Sequence, residues 1–452
     1  RLTDVTGVQT CALPISIKKI ERTKGENIDV TEVDKKDKAS FDVIRGGHTV
    51  GIFQMESEGM KRTIKALKPE TQEDICYILA AYRPGPMQYI SEYVAVKEGK
   101  QAPDYIFDEL EPVLSITRGV ITYQEQVMKI AQVIAGYSLG KADVLRRAMG
   151  KKKVEVMEAE KPKFVEGAKE NGFDEEKVNK IWDKLIQFAN YGFNKAHSAS
   201  YATVAYWTAF LKAHYPIEFM AALLEGDLDN FERVIIDLAE CERLGIEVLP
   251  PSINDSGYYF DAEGDHSIRF GLGGIKNVGD DIVKSIVKER CENGPFKHLD
   301  DFVHRMFSSV AKRAMEYLIM AGTMDIFGDR SALLQILPAI YEKEKARSKS
   351  QVLGQIDIFS LTSNGDEKKD ETVAITPLPN IEKTPITQIL SWEKELLGLY
   401  FSSHPLDAFQ EFFESKNVIP LRQSLDEKKN NDLVILGVMV NKMRRSEERR
   451  VG

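Results

Sequence analysis

The sequence predicts a mainly α, multi-domain chain with small α+β parts, and three observations carry that expectation. Apolar residues recur at three- and four-residue spacing between Gln72 and Glu225, as in Val127, Ile130, Ala131 and Ile134, or Ile181, Leu185 and Phe188. That is the period of a helix burying one face. Strand-like runs are few and short: Thr49–Phe53, and strands and turns from Ile246 to Phe270 around Pro250-Pro251 and Tyr258-Tyr259-Phe260. At roughly 100–200 residues per domain, a chain of 452 residues suggests two to four domains.

The elements follow in order. Ile17 to Lys38 is charged without a clear apolar period and is expected to hold a helix end and a loop. Thr49–Phe53 is followed by a helix-like stretch from Glu56. Arg83-Pro84-Gly85-Pro86 interrupts the helical region as a rigid turn. Compact helices resume from Asp280 to Lys345, and the polar stretch Leu361–Pro385 is expected to be a mobile linker. Leu433–Val440, LVILGVMV, reads as the first strand of a domain that the chain does not complete. No repeat at a solenoid period is visible.

Composition narrows the classes. A hydrophobic content of 43% with 29% charged residues is that of a soluble globular chain, which excludes full disorder and a collagen-like chain. No run of about twenty apolar residues offers a membrane span. Cys11, Cys76, Cys241 and Cys291 form no C-x-x-C pair, so a reducing compartment is expected rather than a disulfide framework or zinc knuckle. The formal charge of −9 argues against a nucleic-acid partner, but an average hides local stripes.

The two ends stand apart. Val5–Ile15, VTGVQTCALPI, resembles the conceptual translation of a common sequencing-library adapter, and Arg445–Gly452, RSEERRVG, that of the opposite adapter. Residues 1–16 and 445–452 are therefore expected to be non-native tails around a fragment from Ile17 to about Arg444.

Four motifs carry chemistry. Lys141–Lys153, KADVLRRAMGKKK, sets six basic residues against the single Asp143. Arg146 and Arg147, followed by Lys151, Lys152 and Lys153, could neutralise several phosphates if one helix runs through Gly150, or could form a solvated helix face. Tyr191–Ala202, YGFNKAHSASYA, packs Asn194, Lys195 and His197 beside the rings of Tyr191, Phe193 and Tyr201. Donors next to stacking surfaces suit a nucleotide or single strand, and a capped helix start with a core-packed Phe fits the same residues. Gly271–Val287, GLGGIKNVGDDIVKSIV, resembles a helix-hairpin-helix turn whose glycines let backbone N–H groups approach a DNA phosphate; a structural helical hairpin is the alternative. Gln355-Ile356-Asp357-Ile358-Phe359 supplies apolar anchors for a partner's pocket, or a short edge strand.

Other patterns fail. Gly136–Ala142 is one residue short of a Walker A loop and lacks its Ser/Thr. Lys276 stands where a dinucleotide fingerprint needs its third glycine, and Asp227-Leu228-Asp229 lacks a nearby third acid, leaving a capping or turn role. The seven histidines show no metal-ligand spacing.

Together with Gly51–Pro69 (GIFQMESEGMKRTIKALKP), Ala81–Met87 (AYRPGPM), Ile121–Lys153, Leu211–Leu224 (LKAHYPIEFMAALL), Gly274–Ile286 and Glu395–Leu406 (ELLGLYFSSHPL), these motifs closely resemble the alpha subunits of bacterial replicative DNA polymerase III, the C-family polymerases. The resemblance implies the end of a palm domain over 17–47, helical fingers over 48–267 and a clamp-binding domain with helix-hairpin-helix elements over 268–351. It further implies a clamp-binding motif and linker over 352–415, and the start of an OB domain over 416–444.

The resemblance also implies roles. Arg146, Arg147, Lys151, Lys152, Lys153, Asn194, Lys195 and His197 would contact the nucleotide, and Gly274, Lys276, Asn277 and Gly279 would contact DNA. Gln355, Ile358 and Phe359 would anchor a sliding clamp. Partners would be primer-template DNA, deoxynucleoside triphosphates, the clamp and other holoenzyme subunits, in the cytoplasm and without a membrane. The family's catalytic aspartates and their two Mg2+ ions would lie upstream of Ile17, so no catalytic residue and no metal ligand is assigned, and the fragment alone is expected not to polymerise. The alternative is a non-catalytic DNA- and clamp-binding protein.

Overall fold

The computed structural model describes residues 3–150, 154–189, 192–228, 230–352, 374–416 and 418. Two compact units result: Arg1–Glu247 with Ala262–Ile268, and Val248–Asp261 with Arg269–Gly452. The small β content is one three-stranded sheet, β1 (Glu247–Leu249), β2 (Asp261–Glu263) and β3 (Ser267–Arg269), in the order β1-β3-β2. Everything else regular is helical among the described residues, as the apolar period requires.

The first unit contains α1 (Thr3–Lys24), α2 (Lys38–Arg45), α3 (Glu58–Leu67), α4 (Gln72–Ala81), α5 (Ile90–Lys97), α6 (Glu111–Leu114) and α7 (Gln124–Ala135). It continues with α8 (Leu139–Gly150), α9 (Val154–Glu170), α10 (Glu175–Ala189), α11 (Lys195–His214), α12 (Pro216–Gly226) and α13 (Phe231–Arg243). Helix α11 is its axis, packed against α1, α2, α4 and α12. Its small buried positions Ala202, Ala205 and Ala209 let neighbours approach closely, and the Ser198 hydroxyl donates to the Cys76 carbonyl at 2.6 Å. Pro216 ends α11, since it cannot continue the hydrogen-bond ladder, and it opens α12 at the position where no partner is needed. A second layer, α7 to α10, buries Ile130, Ile134, Phe164 and Trp182.

Helix α4 starts with a capping box in which Thr71 and Asp74 satisfy each other's backbone N–H. Asp74 is buried, which alone would raise its pKa. Bonds from the Glu70 N–H (2.9 Å), Lys97 (2.9 Å) and Tyr93 (2.8 Å) instead hold it below the usual carboxylate range.

Helix α1 begins at Thr3, and Ala12 and Ser16 on it are buried. One expectation needs revision. Thr49–Phe53 is a turn, not a strand: Ile52 N–H bonds the Thr49 carbonyl, and Gly51 takes a φ of 79°. Its polar groups find side chains in place of a neighbouring strand. Lys212 donates to the Val50 carbonyl (2.7 Å), Glu56 accepts from Gly51 N–H (2.5 Å) and Thr208 from Phe53 N–H (3.2 Å).

The second unit holds α14 (Asp280–Asn293), α15 (Leu299–Met306), α16 (Lys312–Met320), α17 (Arg330–Val352), α18 (Ile386–Leu396) and α19 (Gln410–Ser415). Helices α15 and α16 pack on α17, and α18 on α16. The described part of the expected linker, 374–385, is fastened. Thr376 donates through N–H and hydroxyl to Asp300 (3.1 and 2.6 Å), and Thr384 does the same to Asp329 (2.9 and 2.7 Å). Residues 361–373 and the expected strand 433–440 lie outside the described residues.

Candidate functional site

The basic and aromatic motifs of the first unit converge on the start of α7. Four consecutive residues there, Tyr123 to Gln126, tie the helix start to residues 192–195, to Arg146 and to residues 113–117. Gln126 is the buried anchor: its Oε1 accepts from Thr122 and Tyr123 N–H (2.8 and 2.9 Å), while Nε2 donates to Val113 O and Thr117 Oγ1 (3.1 and 2.7 Å). Tyr123 and Phe193 form a parallel bridge, with Phe193 N–H to Thr122 O (3.1 Å) and Gln124 N–H to Phe193 O (2.9 Å). The 192–194 turn that starts α11 is thereby joined to α7.

On α11, Asn194 is the N-cap, its side chain accepting from His197 N–H at 2.9 Å. The capping role weighed from the sequence is present, with the donors and rings around it. Lys195 N–H bonds both carboxylate oxygens of Glu125 (3.1 and 3.0 Å), and its Nζ stands 3.5 Å from Glu73 and 5.8 Å from the Tyr123 ring centroid. His197 is exposed, its ring centroid 4.1 Å from that of Tyr201 and 5.4 Å from that of Phe193. The Arg83 guanidinium covers Phe193 at 4.1 Å, and burial lowers its pKa.

Helix α8 reaches Gly150 and carries Arg146 and Arg147. Asp143 engages both, at 2.7 Å to Arg146 and 2.6 Å to Arg147, and these partners, Arg146 first, hold its carboxyl below the usual range. Arg146 also donates to Gln124 Oε1 at 3.0 Å, whereas Arg147 keeps 67% of its side chain exposed. Lys151, Lys152 and Lys153 lie outside the described residues. Gln124, Glu125 and Arg83 were not singled out as site residues from the sequence. Arg83 sits in a conspicuous turn, but no local spacing signals the other two.

In the second unit, Gly274–Gly279 forms the expected turn before α14. Ile275 and Val278 are buried, Lys276, Asn277 and Gly279 are exposed, and Asn277 takes a φ of 66°. Lys276 N–H bonds Leu396 O at 2.9 Å, which ties the turn to α18. Gly279 caps α14 with open space where a Cβ would stand. Gly271 and Gly273 serve packing, because a Cβ there would come within 2.4 and 2.8 Å of the Tyr258–Tyr259 backbone. Asp280 and Asp281 follow in the first turn and oppose an anion, although Asp280 is engaged by the Tyr258 hydroxyl, whose pKa this bond pushes up to about 12. Gln355, Ile358 and Phe359 lie outside the described residues. No group of three or more His, Cys, Asp or Glu among the described residues could hold a metal ion. No described helix is long and apolar enough to cross a membrane.

Comparisons with known proteins match both units. The finger-domain model of the bacterial DNA polymerase III alpha subunit matches residues 12–172, and a helix-hairpin-helix model matches residues 245–333. The chain is 39% identical to the DNA polymerase III subunit alpha of Thermus aquaticus, over 99% of this chain and 37% of the relative. It is 42% identical to that of Chlamydia trachomatis, over 93% and 34%, and 39% identical to that of Escherichia coli K12, over 90% and 36%. The chain thus spans about a third of the length of the curated relatives it matches.

Proposed function

From a chain that belongs to the bacterial DNA polymerase III alpha subunit family, we propose a part in template-directed DNA synthesis: the first unit binds the triphosphate of an incoming deoxynucleotide, and the second binds DNA. The observation that carries the nucleotide half is the meeting of Arg146, Lys195, His197 and Arg83 around the start of α7, through Gln124, Glu125 and Phe193. Transfer to a primer 3′-hydroxyl builds charge on the triphosphate, and cations held in advance stabilise it without reorganising. Arg146 and Lys195, with Arg147 and Lys151–Lys153 following Arg146 on the chain, supply that charge, and Asn194 and His197 orient the nucleotide. In the second unit the exposed turn Lys276–Gly279 would bring the Lys276 ammonium and the backbone N–H groups of Asn277 and Gly279 to a phosphate.

Within this reading, 17–47 closes a palm, 48–267 forms fingers, 268–351 is a clamp-binding domain, and Gln355, Ile358 and Phe359 dock on a sliding clamp in the cytoplasm. Mg2+ supplies charge neutralisation in such polymerases. The described residues offer no group of His, Cys, Asp or Glu that fits such an ion.

Titration of the chain with dATP tests the nucleotide half. Arg146→Ala weakens binding about tenfold, the scale of one lost charged contact. An unchanged affinity overturns the assignment.

A further inference from the structure

Gln124 holds two groups with opposite needs. Its Oε1 accepts from Arg146 Nη1 (3.0 Å) on α8, and its Nε2 donates to the Gly192 carbonyl (3.1 Å) before α11. A guanidinium only donates and a carbonyl only accepts, so the partners fix the amide's orientation. An amide of this length serves both, whereas a carboxylate lacks the donor and a lysine lacks the acceptor. Two further observations support a built contact. Arg146's other bonds among the described residues go to Asp143 on its own helix, so Gln124 is its tie to the rest of the site. Gly192 leaves the room Gln124 uses, since a Cβ there would stand 3.2 Å from Gln124 Cγ, tighter than an ordinary contact. The backbone beneath is held by the Gln124–Phe193 bond and by Gln126.

We propose that Gln124 is a positioning residue, coupling Arg146 on α8 to the Gly192–Phe193 turn so that the cations of α8 and α11 meet the triphosphate as one arrangement. This rests on the nucleotide reading given above. Gln124 touches no phosphate; it sets where Arg146 stands relative to Asn194, Lys195 and His197. The coupling explains why a half-buried glutamine at a helix start carries three hydrogen bonds to residues 22 to 69 positions away.

A double-mutant cycle on the whole chain, read by dATP titration and thermal unfolding, tests the coupling. Gln124→Met removes both side-chain bonds with little change in volume and weakens dATP binding about fivefold; Arg146→Met weakens it about tenfold. The double variant stays within about twofold of Arg146→Met, because Gln124 acts through Arg146. Gln124→Glu keeps the Arg146 contact but sets a carboxylate against the Gly192 carbonyl, and weakens binding as Gln124→Met does. A structural role alone would lower the unfolding temperature and multiply through the cycle. Wild-type affinity in either Gln124 variant, or multiplicative losses in the double, overturns the coupling while the nucleotide reading stands. No loss in Arg146→Met, or no dATP binding by the wild-type chain, overturns that reading and the coupling with it.

Discussion

Asp237 and Asp227 are two buried carboxyls, 0% and 4% exposed, that both face the guanidinium of Arg233. Neither oxygen of Asp237 takes a hydrogen bond from an N–H or hydroxyl among the described residues, and Arg233 stands 3.5 Å away while it grips Glu56 at 2.9 and 3.1 Å. Three carboxyls thus share one cation. Burial first, then the charges of Asp227 and Glu56, push Asp237 up to about 8 against the pull of Arg233.

The stability of the first unit should therefore depend on pH in a stated direction. The folded state keeps a proton that the unfolded chain releases near pH 4, so this contribution is full below that pH and is lost as pH rises to about 8. One such group changes stability by at most about 1.4 kcal/mol per pH unit. Asp237→Asn removes the titration. Its unfolding temperature minus that of the wild type should grow between pH 5 and pH 8, and a constant difference would show that Asp237 is not protonated in the fold.

Lys212 is 2% exposed, pairs with Glu240 at 2.5 Å and donates to the carbonyls of His48 (2.8 Å) and Val50 (2.7 Å). Lys212→Met leaves two carbonyls and a carboxylate short of a donor and should cost about 3–5 kcal/mol in urea unfolding. A loss below about 1 kcal/mol would mean that the 48–53 turn does not depend on it.

Gly279→Ala meets open space and, at an N-cap, should cost no more than about 1 kcal/mol in thermal unfolding. If the turn contacts duplex DNA, the added methyl weakens binding to a short duplex, and Lys276→Ala lowers the salt dependence by about one phosphate contact. Unaltered binding and salt slope in both variants would remove the turn from the DNA interface.

Deleting Gln355–Phe359 should abolish capture of the chain by an immobilised bacterial sliding clamp and leave dATP affinity intact. Equal capture of the two chains would dismiss the motif.

Much of this was readable along the chain. The period of Val127, Ile130 and Ile134 marks the buried face of α7, Asn194 caps α11 three residues before the N–H it accepts from, and Pro216 divides α11 from α12. Each is a local relation within one or two helical turns. The thirteen-residue run Lys141–Lys153 announced its charge for the same reason. What misled was also local: Thr49–Phe53 has strand composition, but its backbone groups are taken by Thr208 and Lys212, more than 150 positions away.

The sequence by itself determined the helical class, the breaks between helices, the short β segment and the family, because periodicity, caps and motif order are written in neighbouring residues. Only the tertiary structure decided which polar groups meet: Gln124 between Arg146 and Gly192, Glu125 on the Lys195 N–H, and Arg233 among Glu56, Asp227 and Asp237. Hydrogen bonds and ion pairs depend on distance and burial after the chain has closed on itself, and no spacing along the chain encodes either.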